Sequence, residues 1–91
     1  MNRPFEWDPG KAASNARKHN VEFEEAVTVF ADRHATIDED HEHSEGEDRF
    51  RAVGWSVMQR LLVVTFTIRG SAFRIISARP ATRSARRKHA G

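Results

Sequence analysis

The segment Leu61–Ile68 limits the folds open to this chain more than any other. Leu62, Val64, Phe66 and Ile68 form one continuous apolar face, while the opposite face begins with Leu61 and Val63 and ends with Thr65 and Thr67. A strand of that composition needs cover on both sides, so it reads as the central strand of a sheet. The cover has to come from 91 residues, which make one small domain spanning positions 1–91. A chain this short buries only about 60–65% of the surface that its unfolded form exposes. It contains no cysteine, which excludes disulfides, thiolate zinc sites and cysteine nucleophiles. The fold must therefore rest on packing, or on a partner that covers apolar surface.

The neighbours of the central strand also alternate. Arg49, Arg51, Val53, Trp55 and Val57 point one way, and Phe50, Ala52, Gly54 and Ser56 the other. Trp55, between two valines, reads as core. Arg69–Gly70–Ser71 makes a turn, Phe73–Arg79 returns as a third strand, and Pro80 ends it. Arg74 and Arg79 differ by an odd number, so a regular strand places them on opposite faces. Upstream, Phe5–Glu6–Trp7 reads as a short edge strand or extended arm. Asp8–Pro9 starts a helix that runs to His19, with Lys18 and His19 suiting its C-terminal dipole. Phe23, Ala26, Val27 and Phe30 form the apolar stripe of a second helix. Residues 32–48 are acidic and histidine-rich, with a strand near Ala35–Ile37 and a loop around Ser44–Glu45–Gly46. Thr82 caps a basic last helix through His89. The expected class is α+β: an antiparallel meander of three or four strands, helices packed on one face, and a basic C-terminal helix.

Charge divides the chain in two. All thirteen acids lie at or before Asp48, with five of the Lys and Arg, for a net −8. From Arg49 onward there are ten Lys or Arg and no acid, for a net +10. Such asymmetry points to a polyanion partner, or to an acidic half that neutralises a basic half within one fold. No apolar run approaches the ~18–20 residues of a bilayer span, and the N-terminal residues form no signal region, so a cytoplasmic protein without membrane association is expected.

The chain resembles the BrnT toxins of bacterial type II toxin–antitoxin systems over nearly its whole length. The residues that carry the likeness are Phe5–Glu6–Trp7–Asp8 with Lys11 and Asn15; Lys18–His19–Asn20–Val21 with Phe23–Glu24–Glu25–Ala26; and Glu47, Arg49 and Gly54. They continue through Leu61–Leu62–Val63–Val64, Thr67 and Arg69–Gly70 to the most specific run, Arg74–Ile75–Ile76–Ser77–Ala78–Arg79. The resemblance implies a RelE-like fold, ribonuclease activity that blocks translation, and a BrnA-type antitoxin that binds the toxin and represses the operon through its own DNA-binding domain. In one respect the chain departs from the family, which usually carries an ER…Y pattern around the final basic helix. Here the stretch reads Ser84–Ala85–Arg86–Arg87–Lys88–His89, with Ala85 where the acid would stand.

RNA cleavage without a metal uses the ribose 2′-hydroxyl as nucleophile. The protein must orient it, move two protons and stabilise charge at phosphorus. Arginine suits the last task, because its planar fork matches phosphate oxygens. Arg69 and Arg79 at strand ends are the candidates for that role. Arg49, Arg74, Arg83, Arg86, Arg87 and Lys11 are candidate RNA contacts, with the alternative of a solvated basic face. If Arg79 were close to helical, it would join Arg83, Arg86 and Arg87 in one stripe. With no carboxylate after Asp48, the proton acceptor must come from His19, the acidic-segment histidines, His89, Lys11, Lys18 or Glu47. His19 and Glu47 are preferred, with a helix cap and an ion pair to Arg49 as their plainer roles. Asp38–Glu39–Asp40–His41–Glu42–His43 reads as a solvated acidic loop, and no metal or other cofactor is expected. Trp7 either staples the N-terminal arm or joins a patch that an antitoxin covers. The leading function is thus a metal-independent endoribonuclease toxin of the mRNA-interferase type, held by an antitoxin, either as a homodimer or as a hetero-oligomer. A non-catalytic nucleic-acid-binding module and a basic protein-interaction module are the alternatives.

Overall fold

Two local signals near the N-terminus form as expected. β1 (Phe5–Glu6) leads into α1 (Pro9–His19), where the Asp8 carboxylate accepts from the Lys11 N–H at 2.9 Å and Pro9 occupies the first turn. Asn20, in the left-handed region at φ 57°, stops the helix, and its N–H reaches the Ala16 carbonyl at 2.9 Å. The computed structural model describes residues 4–43 and 46–90, so the loop expected around Ser44–Glu45–Gly46 lies partly outside the described residues.

The second helix is shorter than its apolar stripe suggests. α2 covers Phe23–Val27, and a 3-10 turn, Thr28–Ala31, carries Phe30. The Thr28 hydroxyl donates to the Glu25 carbonyl at 2.6 Å, a local bond that competes with the helical ladder. β2 (Thr36–Glu39) follows, and then a second 3-10 turn, His41–His43, so the run read as an acidic loop begins within a strand.

β3 (Phe50–Trp55), β4 (Leu61–Arg69) and β5 (Ala72–Pro80) form the meander, and α3 (Arg83–Ala90) closes the described chain. The sheet has five strands in the order β1-β5-β4-β3-β2. It is mixed rather than purely antiparallel, because β1 runs parallel to β5. Phe5 supplies the reason: its ring meets that of Phe30 at a tilt and that of Phe73 edge-on, at centroid distances of 5.1 and 5.8 Å, which holds the arm in strand geometry.

One face of the sheet carries the core. Val21, Phe23, Ala26 and Val29 from the helical layer meet Ala52, Leu62, Val64, Phe66, Ile75 and Ala78 from the strands. Trp7 packs edge-on against Phe23 at 5.8 Å, which joins the arm to that core. Segment 29–35 lies so close to β3 that only glycine fits at 54. A Cβ there would stand 2.9 Å from Ala35 Cβ and 3.0 Å from Val29 Cγ1.

The turn after β3 is tied to α2 from within. The Glu25 carboxylate receives Ser56 Oγ at 2.7 Å, Arg60 Nε at 2.9 Å and an Arg60 terminal nitrogen, while Arg60 also donates to the Asn20 carbonyl at 3.0 Å. The bidentate Arg60 contact first, and the Ser56 hydroxyl after it, hold the Glu25 carboxyl below the usual glutamate range, against the opposing effect of burial.

The helices do not all share one face. α3 crosses the side away from the core: its residues border Val53, Val63 and Arg79, whose neighbours Ala52, Val64 and Ala78 point into the core. The reason lies in β4, where Leu61 and Val63 are buried like Leu62 and Val64 and need cover on both sides.

Candidate functional site

A bulge decides which charges share a face. Along β4 and β5, Thr65 pairs with Ser77 but Phe66 pairs with Ile75, so β5 carries one extra residue, Ile76, at that point. Thr67 pairs with Arg74 and Val63 with Arg79. Thr67 and Val63 lie on one face of β4, so both arginines do as well, contrary to the regular alternation. Arg51, opposite Thr65, joins them.

These arginines form two groups. At one end of the face, Arg74 Nη1 binds Glu6 Oε2 at 2.8 Å, and Arg69 lies 3.6 Å from Glu47 Oε2. Thr67 Oγ1 donates to the Asp48 carbonyl at 2.6 Å in the same region. Toward the other end, Arg79 and Arg51 border a cleft of about 500 Å³ beneath α3. The rows holding Arg69 and Arg79 are six residues apart on β4, or roughly 20 Å at a strand's rise.

The cleft combines charge with hydroxyls. Arg51 comes from β3, Arg79 from β5 and Lys88 from α3, with Asp38 of β2 as their acidic neighbour and Thr36, Thr82 and Ser84 as polar lining. α3 is positioned by its own cap, Thr82 Oγ1 accepting from the Ala85 N–H at 3.1 Å. The Arg86 guanidinium sits 6.0 Å from the centre of the Trp55 ring, at the outer reach of a cation–π contact. Trp55 is thus 42% exposed rather than in the core. At the far end of α3, the His89 ring lies near Asp32, with Nε2 3.7 Å from Oδ2. Asp32 itself accepts the Trp55 N–H at 2.8 Å and the His34 N–H at 3.0 Å. These two bonds, Trp55's first, hold its carboxyl below the ordinary aspartate range.

A second, larger groove of about 1010 Å³ is lined mainly by apolar side chains such as Phe5, Val27, Phe30 and Val57. Asp32 is the one charged residue that borders it among the described residues, so it offers no cationic set for a phosphate.

The residues singled out in the sequence are distributed as follows. Arg79 lines the cleft; Arg69 and Glu47 pair with each other at the opposite end, and Arg49 is half-buried just before β3. Glu47 therefore has Arg69 as an ionic neighbour, 3.6 Å away. His19, half-buried, and Lys11, exposed, lie on α1, which packs on the helical side and does not border the cleft. Arg79 is in a strand and so forms no helical stripe with Arg83, Arg86 and Arg87, which are exposed and do not line the cleft. In the acidic segment, His41 pairs with Glu39 at 3.2 Å, and the described residues contain no group of three or more metal-type ligands. Sequence reasoning missed Arg51, Lys88 and Asp32. Arg51 was signalled by its alternation with Arg49 and Val53, whereas nothing local marks Asp32.

A model of the family described as ribonuclease toxin BrnT of type II toxin–antitoxin systems matches residues 7–85. Among solved structures, the chain is similar to the crystal structure of the Brucella abortus ribonuclease toxin BrnT. The TM-score is 0.71 at 25% identity, covering 90% of this chain and 100% of that one. No curated protein sequence matches. With the family model spanning most of the chain and the α+β fold shared, this chain belongs to the BrnT family of ribonuclease toxins of type II toxin–antitoxin systems.

Proposed function

We propose that the chain, as a single domain, is a metal-independent endoribonuclease of the mRNA-interferase type that acts in the cleft beneath α3. On this reading it blocks translation and is neutralised by a BrnA-type antitoxin. The observation that supports it is the convergence of Arg51, Arg79 and Lys88 on one cleft of about 500 Å³, a size suited to a nucleotide. The two guanidinium forks bind the non-bridging oxygens of the scissile phosphate and stabilise the charge that grows on them as the 2′-oxygen attacks. Lys88 adds a point charge from the helix side. Arg69 and Arg74, each with an acidic neighbour, track the RNA backbone farther along the same face, as Arg83, Arg86 and Arg87 do on α3.

The test is incubation of the purified protein with total RNA, with and without EDTA. Cleavage that persists in EDTA and leaves 2′,3′-cyclic phosphate ends is expected. Arg51→Ala and Arg79→Ala should each reduce the rate by roughly 10²–10³-fold, as loss of a transition-state donor does. Intact RNA that is retained in a gel in a salt-sensitive manner would instead identify a non-catalytic binding module.

A further inference from the structure

One side chain that lines the cleft, His89, is unused by the arginine chemistry, as is the Asp32 carboxylate behind it. The His89 side chain is only 6% exposed, and its Nε2 is buried without a hydrogen-bond partner although Asp32 Oδ2 stands 3.7 Å away. A buried polar nitrogen left unpaired costs stability and calls for an explanation. Asp32 does not depend on His89 for its own position, because two backbone N–H groups fix its carboxylate. The ring therefore borders the cleft on one side and a preset negative charge on the other.

We propose that His89 is the proton acceptor of the ribonuclease site and that Asp32 is the positioning residue that orients it. The assignment rests on the ribonuclease reading of the cleft. With Nε2 directed at Asp32, the proton of the neutral ring is favoured on that nitrogen, which leaves Nδ1 as the basic atom for substrate. In the reaction, the 2′-hydroxyl proton passes to Nδ1 while the 2′-oxygen forms its bond to phosphorus. The bond from phosphorus to the 5′-oxygen breaks, and that oxygen leaves with a proton from water. The 3.7 Å separation closes to a hydrogen bond as the ring gains charge, as catalytic contacts commonly do between the free and reacting states. The charged groups around this ring are Asp32, with His34 beside it, and, along the same cleft, Asp38 on β2, Arg51 on β3, Arg79 on β5 and Lys88 on α3. Among the described residues that line the cleft, His89 is the one imidazole, the side-chain type that exchanges protons near neutral pH.

The experiment is single-turnover cleavage of an RNA oligonucleotide across pH by the full chain and by His89→Gln, His89→Ala and Asp32→Asn. Both His89 variants should lose roughly 10²–10⁴-fold in rate while still binding the RNA. Their residual rate should lack the acid limb that an imidazole base imposes, and added imidazole should partly restore His89→Ala. Asp32→Asn should lose less and keep the limb. The proposal is overturned if the His89 variants cleave at the wild-type rate with an unchanged pH profile. It is also overturned if their loss follows RNA affinity and thermal stability alone, which would make His89 a latch for α3. A wild-type chain that cleaves nothing would overturn the ribonuclease reading as well, whereas an active wild type beside unaffected variants overturns only this assignment.

Discussion

Asn15 shows how much one side chain can hold together. It is buried on α1, and its amide donates to the Ala78 carbonyl at 2.8 Å and the Val21 carbonyl at 3.0 Å, while its oxygen accepts the Ala78 N–H at 3.1 Å. It therefore acts as a one-residue strand along the edge of β5 beyond the reach of β1, which pairs only with Phe73 and Arg74. Asn15→Ala leaves both backbone groups of Ala78 and the Val21 carbonyl without this partner. The expected cost is about 1–3 kcal/mol for each buried group left unmet, read as a lower denaturation midpoint. Asn15→Asp should fail to restore stability, because a carboxylate cannot donate to the two carbonyls; full recovery would refute this role. The residue stood out in the sequence only as part of a family motif. Its function was illegible there because its partner lies 63 positions away.

Strands and helices were more readable than the contacts between them. The alternation in Arg49–Val57 and Leu61–Ile68 located β3 and β4 and grouped the residues that share a face, although the core side of β3 is that of Ala52 and not that of Trp55, and Asp8–Pro9 located the start of α1. The bulge at Ile76 escaped, since no residue there signals one and the register is set by the partner strand. The link from α2 to the β3–β4 turn through Glu25 and Arg60 escaped for the same reason. That link makes a pH prediction. The carboxyl of Glu25 is lowered in the folded chain, so its stabilisation is fully present above the ordinary glutamate value of about 4.5 and is lost as pH falls through the lowered value. Thermal stability should drop below that point. Glu25→Gln should be less stable at neutral pH by roughly 3 kcal/mol, the low end for a broken buried pair because Arg60 keeps 34% of its side chain exposed. The variant should also show a flatter acid limb in thermal melts, and an unchanged limb would refute the assignment.

At the scale of the molecule, the split between −8 and +10 becomes an arrangement of layers. α1 and α2 form one layer, and the positive half builds β3, β4, β5 and α3 on both sides of the cleft. The basic side is not free of acid, since Glu6, Asp38 and Glu47 reach it from elements earlier in the chain. Composition predicted a basic face but could not place these three, whose positions depend on strand pairing and on the loop before β3. Arg83 and Arg87 stay exposed, away from the cleft. Replacing both by alanine should weaken RNA binding regardless of sequence and reduce the dependence of log affinity on log salt by roughly 0.7 for each phosphate no longer neutralised. An unchanged slope would show that they face only water. The extra residue in β5 has a genetic consequence as well. Arg74 and Arg79 share a face only because the count between them is irregular, so the charge pattern is written partly in spacing. Losing one codon between them would leave every arginine in place and still turn one of the two away from its partners. A lesion of that kind is invisible to any count of charges.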